Sequence, residues 1–138
     1  MSWYNIKADE TMRLYSIYRR MLSGGICTFQ VTLKCINRRG VWDWKHEMEL
    51  SHFHSRRKYS VRHSDSNTDP SCKMCHKWMD SHQTEHEVFK LEQLGQRKFD
   101  KLLVAAQVKV KKFIQEIEKK VLRKWLRGEI KKLEEQWI

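Results

Sequence analysis

From Lys7 to Leu22 the apolar positions Met12, Leu14, Tyr15, Ile17, Tyr18, Met21 and Leu22 recur at helical spacing, and Ser23-Gly24-Gly25 ends the pattern. Residues 26–36 alternate and are rich in β-branched side chains, which predicts a strand, with Asn37-Arg38-Arg39-Gly40 as its turn. Trp42 to Phe53 supplies a second extended stretch. Arg56 to Asp69 is polar, with a loop signal at Asp65-Ser66-Asn67, and Pro70 blocks any helix running through it. A helical pattern resumes at Ser71 and passes Cys75, Met79, Val88, Phe89 and Leu91 until Gly95. Beyond it, Val110, Ile114, Ile117, Val121, Trp125, Ile130, Leu133 and Trp137, with basic residues between them, predict one long amphipathic helix broken near Gly128. The chain thus divides into an N-terminal helix (1–25), a mixed core (26–95) and a basic helical arm (96–138).

At 138 residues there is room for one domain and an arm, not for a two-domain enzyme. The longest apolar runs, such as Leu102 to Ala106, fall far short of the roughly 20 residues that cross a bilayer. Residues 1–12 carry neither the basic nor the apolar region of a secretory signal, so a cytoplasmic, reducing location is expected. The four cysteines then read as metal ligands or thiols rather than disulfides. Lys and Arg number 28 against 17 acids, a net charge of +11 that favours a polyanionic partner, above all nucleic acid. A small-molecule substrate is not expected.

Ser51-His52-Phe53-His54-Ser55-Arg56-Arg57, Asp65-Ser66-Asn67 and Cys72-Lys73-Met74-Cys75-His76 follow one another in order. A strand ending in His, a loop with Asn and a Cys-x-x-Cys-His at a helix start resemble the HNH nucleases, also called ββα-metal or His-Me finger enzymes. Together with RLYSIYRRMLSGGICTF upstream and EHEVFKLEQLGQRKFDKL downstream, the set is similar to a phage group that includes the NinG/Rap recombination nucleases. The likeness runs from residue 10 to residue 105 and leaves the last helix aside. It implies an α+β fold: a small ββα-metal core with a zinc staple, an N-terminal helix and a long basic C-terminal helix.

Cleaving a phosphodiester needs a deprotonated water, a cation on the phosphate and fixed geometry between them. His52 is the candidate general base, because an imidazole titrates near neutrality; taken singly it reads first as a packed strand-end histidine, and the motif reverses that order. Asn67 would hold the loop and the histidine ring by amide hydrogen bonds, or be an ordinary turn residue. By resemblance His76 presents a nitrogen to a catalytic Mg2+ or Mn2+; without the motif it is a solvated helix histidine. Many HNH enzymes place Asp, a metal ligand, just before the base histidine. Ser51 stands there, as a non-acidic residue also does in the resembling phage group, which leaves His54, Asp65 or a substrate phosphate to complete the shell and predicts weak metal affinity without DNA.

Cys72 and Cys75 have the gap that brings two thiolates to one structural Zn2+. The resembling group usually supplies a second Cys-x-x-Cys upstream, whereas here Cys27 is followed at that spacing by Gln30 and the next cysteine is Cys35. Either Cys35 completes the site across a hairpin, or three ligands remain, or the site has decayed; four-cysteine zinc is the favoured reading. Covalent haem attachment at Cys-x-x-Cys-His takes place after export, which argues against it. Arg56, Arg57, Lys58 and Arg62 are placed to contact phosphates, or form a solvated basic loop. Residues 96–138 hold 13 Lys and Arg and 6 acids. The apolar stripe there packs on the core, on itself, or as a dimer helix whose basic face follows DNA; a membrane-surface helix ranks third.

The function expected is a metal-dependent DNA endonuclease acting on branched or recombination DNA such as a four-way junction. Two symmetric nicks in such a junction would require a homodimer. A nicking or homing-type HNH endonuclease on duplex DNA is the near alternative, and a zinc-stapled DNA-binding or architectural protein without catalysis is the distant one.

Overall fold

A computed structural model describes residues 9–136; Lys7 and Trp137, the outermost positions of the sequence pattern, lie outside them. The fold is mixed α+β, mostly helical, with one small antiparallel sheet. Helix α1 (Glu10–Leu22) starts where the Asp9 carboxylate accepts the Thr11 N–H at 2.9 Å, and it buries Met12, Leu14, Tyr15 and Met21. Gly25 follows at φ +83°, where a Cβ would collide with the Trp42 carbonyl oxygen, so the chain turns at the expected place.

The strand expected over residues 26–36 does not form. Ile26 makes a single bridge to Val41, and Leu33–Asn37 forms a short helix, α2. Local β propensity loses to the cysteines: an eight-residue extended run would hold Cys27 and Cys35 about 26 Å apart, whereas both are fully buried in one cluster. Gln30 and Arg39, at φ +49° and +57°, bend the chain accordingly.

Of the second extended stretch, Met48–His52 becomes strand β1. It pairs with β2 (Thr68–Cys72), Met48 facing Cys72 and His52 facing Thr68. Pro70 sits inside β2, opposite Leu50. Its carbonyl turns away from β1 and accepts the Thr28 N–H at 2.9 Å, so the amide hydrogen it lacks would not have served the ladder. Helix α3 (Tyr59–Arg62) and a 3-10 turn, Asp65–Asn67, connect the strands. Cys72 then caps α4 (Lys73–Asp80), followed by α5 (Gln83–Leu94), α6 (Gln96–Ala106) and α7 (Lys112–Gln136).

The single long helix expected after Gly95 is two helices. The break falls at residues 107–111, where Val108-Lys109-Val110 alternates apolar and basic, and not at Gly128, which continues α7 with open space beside it. Leu122, Leu126 and Ile130 of α7 pack on Met12, Leu14, Tyr15 and Tyr18 of α1 and on Leu50 of β1. The first and last described helices thus share one core. A second stripe on α7, Phe113, Ile117, Val121 and Trp125, stays at least half exposed. No helix among the described residues is long and apolar enough to cross a membrane.

Helix α5 is fastened to β2 by a buried ion pair. Lys90, with no exposed surface, donates to Asp69 Oδ2 at 2.6 Å, to the Ser66 carbonyl at 3.0 Å and to Gln93 Oε1 at 2.7 Å. Gln93 Nε2 closes the network on Asp69 Oδ1 at 2.7 Å. Every polar atom of the pair therefore has a partner, the condition under which a buried charge is tolerated.

Candidate active site and cysteine centre

Cys27, Cys35, Cys72 and Cys75 converge. All four are fully buried, and their sulfurs lie within 4.8 Å of one another. Tetrahedral zinc at about 2.3 Å from each sulfur would place the sulfurs roughly 3.8 Å apart, so the set fits that ion. Cys35 belongs to the group, which answers the question left by the irregular upstream spacing. The surroundings suit thiolates as well. Cys72 N–H points at the Cys27 sulfur, Cys75 N–H at Cys72, Trp42 Nε1 at Cys35, and the Thr32 hydroxyl lies beside Cys75, each at 3.3 Å. One donor per sulfur disperses the negative charge that four thiolates would carry. Burial pushes the Cys35 thiol up to about 11 and raises Cys72. Burial pushes Cys75 up too, but hydrogen bonds from Thr32 and Val31 outweigh it and bring the thiol down to about 7. A bound cation would supply the remaining drive to deprotonate the set.

Cys75 and His76 are neighbours on α4, so the helix anchored by the sulfurs carries His76 on its next position. The His76 ring lies between two carboxylates: Nδ1 is 2.9 Å from Glu49 Oε1 and Nε2 is 3.4 Å from Asp80 Oδ2. The His76 hydrogen bond holds the Glu49 carboxyl below its ordinary range. With Nδ1–H donated to Glu49, Nε2 faces Asp80 and would offer its lone pair to a cation placed between the two. That is the carboxylate–histidine arrangement which orients a metal ligand, and His76 Nε2 with Asp80 Oδ2 offers a cation one nitrogen and one oxygen. Magnesium sites commonly take one or two protein carboxylates and fill the shell with water and phosphate.

His52 opens on the same cleft, a cavity of about 650 Å³ between α1, β1 and α4 that also reaches Arg13, Arg20, Glu49, Arg56, His76 and Asp80. Its Nε2 lies 2.9 Å from the Arg62 carbonyl oxygen, which can only accept, so Nε2 carries the proton and Nδ1 keeps the lone pair. Burial outweighs the hydrogen bond to the Arg62 carbonyl and, with the charges of Arg56 and Arg62, lowers the imidazole to about 4. At neutral pH it is unprotonated, and an anionic phosphate entering the cleft would raise it toward the working range of a general base.

The other expected residues divide. Asn67 is fully buried: its Nδ2 donates to the carbonyls of His54 at 3.0 Å and Val61 at 3.1 Å, and its Oδ1 accepts the His54 N–H at 2.7 Å. It holds the loop, as expected, but the His52 ring is held by the Arg62 carbonyl instead. His54 and Asp65 do not line the cleft. Asp65 accepts from the Tyr15 hydroxyl at 2.7 Å and pairs with Arg19. Of the four basic residues only Arg56 lines this cleft. Arg62 turns inward, its Nε on the Arg56 carbonyl and its guanidinium on Asp9 at 3.3 Å, while Arg57 and Lys58 line a second cleft. Ser51 is fully buried and its hydroxyl has no hydrogen-bond partner, so it faces the interior and not an ion.

Glu49 and Asp80 were missed by the sequence reading. Asp80 follows His76 by four residues on a helix, a spacing that places both on one face and could have found it. Glu49 is brought to His76 only by the pairing of the strands. Among the described residues the four cysteines are the only group of three or more ligand-type side chains whose donor atoms crowd together. No family model, curated protein or solved structure matches the chain.

Proposed function

We propose that this chain is a metal-dependent DNA endonuclease of the HNH, or ββα-metal, kind, with zinc in the four-cysteine centre as a structural staple. The observation that carries the reading is the shared cleft. A neutral imidazole whose tautomer is set by a backbone carbonyl stands with a histidine–carboxylate pair suited to a divalent cation, beside Arg13 and Arg56. The order strand, loop, strand, helix around it supports the same reading.

The residues then have distinct tasks. His52 Nδ1 accepts the proton of the attacking water. His76 and Asp80 would hold Mg2+ or Mn2+, which would supply neutralisation of charge on the phosphate and the leaving oxygen. Glu49 fixes the His76 ring, Asn67 fixes the loop behind His52, and Arg13 and Arg56 bind the flanking phosphates, while Arg20 Nη1 braces the cleft wall through the carbonyls of Trp44, Lys45 and Met48. DNA with branches is the substrate we favour, and symmetric cutting of a junction would then need two copies. The buried Ser51 hydroxyl favours the rival reading, a zinc-stapled binder without catalysis, since a carboxylate ligand is absent there.

The test is incubation of plasmid and synthetic four-way junction DNA with and without Mg2+ or Mn2+, beside His52→Ala and Asp80→Asn. The expected result is metal-dependent cutting that falls about 10²- to 10⁴-fold in His52→Ala, while DNA binding by that variant persists. Binding without cutting by the unaltered chain would overturn the enzyme in favour of the binder.

A further inference from the structure

Ser55 and Arg56 line the catalytic cleft, and the next two residues, Arg57 and Lys58, line a different one. This second cleft, about 350 Å³, lies between the loop at Arg57–Tyr59 and the break that separates α6 from α7, where Gln107 and Lys109 face it. Among the described residues no acidic side chain lines it. Both walls are tied down. The Ser60 hydroxyl donates to the Ala105 carbonyl at 2.6 Å, the Tyr59 hydroxyl is shared between the Glu118 carboxylate at 3.2 Å, just behind the lining, and the Gln115 carbonyl at 3.3 Å, and Gln115 Nε2 donates to the Val110 carbonyl at 2.8 Å. The helix break that the sequence pattern misplaced is thus built into a concave, cationic surface one step along the chain from the scissile site.

We infer that this cleft binds the sugar–phosphate backbone of the DNA strand that passes through the catalytic cleft, beyond the cleaved bond. The inference rests on the nuclease reading for the course of the strand. Ser55 to Lys58 is a tight turn closed by the Lys58 N–H on the Ser55 carbonyl at 2.8 Å, so its ends lie within about 7 Å, close to two nucleotides at about 3.4 Å of rise per strand. Arg57 and Lys58 on one wall and Lys109 on the other then neutralise backbone phosphates. Backbone contacts of this kind set register and carry no base preference, and they explain why a cationic cleft lies beside a break without glycine or proline.

The experiment compares the full chain with Arg57→Ala/Lys58→Ala/Lys109→Ala and with a control triple, Lys120→Ala/Lys124→Ala/Lys131→Ala, which removes the same charge from exposed positions of α7. Binding of a DNA duplex and a junction is measured across salt concentrations without divalent cation, and cutting is measured at saturating DNA with Mg2+. The cleft variant should bind about 10- to 100-fold more weakly near physiological salt. Its slope of log affinity against log salt should shrink by about 2 to 3, at about 0.9 for each phosphate no longer neutralised. Its melting temperature should be unchanged, and the control should lose less of the slope. An equal loss in both triples, or no loss in the cleft variant, overturns the inference. If the unaltered chain binds but never cuts, the nuclease reading falls separately, because the slopes still decide whether the cleft takes phosphates.

Discussion

The cluster around the four cysteines and the cluster between α1 and α7 both bury part of the same two-stranded sheet, by different means. The α1–α7 cluster is conventional: Met12, Leu14, Tyr15, Leu50 and Leu126 are nearly or fully buried, with Tyr18, Leu122 and Ile130 around them. In the cysteine cluster, Phe29 and Met79 are the other buried hydrophobic members. Val31, Trp42, Trp78 and Phe89 pack around it only partly buried, so a metal crosslink between the four thiols would add what the other side gains from transfer of apolar surface from water. The cleft that holds His52 and His76 lies on the seam, with Met12, Arg13 and Ser16 from α1 on one side and His76 and Asp80 of the cysteine-anchored α4 on the other.

Metal removal should expose this difference most. After treatment with a strong chelator, or in Cys72→Ser, hydrogen exchange should lose protection over residues 26–42 and 72–80 while α1 and the Leu122–Ile130 stretch of α7 keep theirs. Metal analysis of the untreated chain should give about one zinc per molecule. Simultaneous loss in both regions would show a single cooperative unit and break the comparison. Leu126→Ala is the reciprocal change. It should cost about 2–5 kcal/mol, the range for removing a buried leucine side chain, read by denaturant unfolding with zinc content unchanged.

Acid should act on both sides more gently. Burial lowers His63, which packs edge-on to Tyr15 and Tyr59, from an ordinary 6.5 to about 4, and burial also lowers His86, which packs edge-on to Phe29 and Phe53. The unfolded chain therefore binds more protons than the folded one between those values. Stability is full above about 6.5 and declines as the pH falls toward 4. Thermal melts of His63→Phe should show a shallower decline in that window; an unaltered slope would remove His63 as a cause.

Much of this was legible in the chain. The spacing of Met12 to Leu22 and the Ser23-Gly24-Gly25 stop define α1, because helical periodicity and its termination are local signals. The run ending at His52, and the Cys72 and Cys75 pair opening α4, were equally plain. The first cysteine half was not. Its residues favour a strand by propensity, and only the requirement that Cys27 and Cys35 reach Cys72 and Cys75 folds them otherwise. The break at 107–111 carries no glycine or proline, and its packing beside α3 is tertiary. In the cleft, His52 and His76 announce themselves by motif, whereas Glu49 needs the register of the sheet. Arg62 looked like a phosphate ligand because sequence shows charge and not direction; the structure points it at Asp9.

The Asp69–Lys90–Gln93 network has a consequence for how this sequence can drift. Neither the acid nor the lysine can be exchanged for an apolar residue alone without stranding its partner's charge in the interior. Lineages sharing the fold should therefore keep both or replace both, and the glutamine, which satisfies each of them, should persist only where they do.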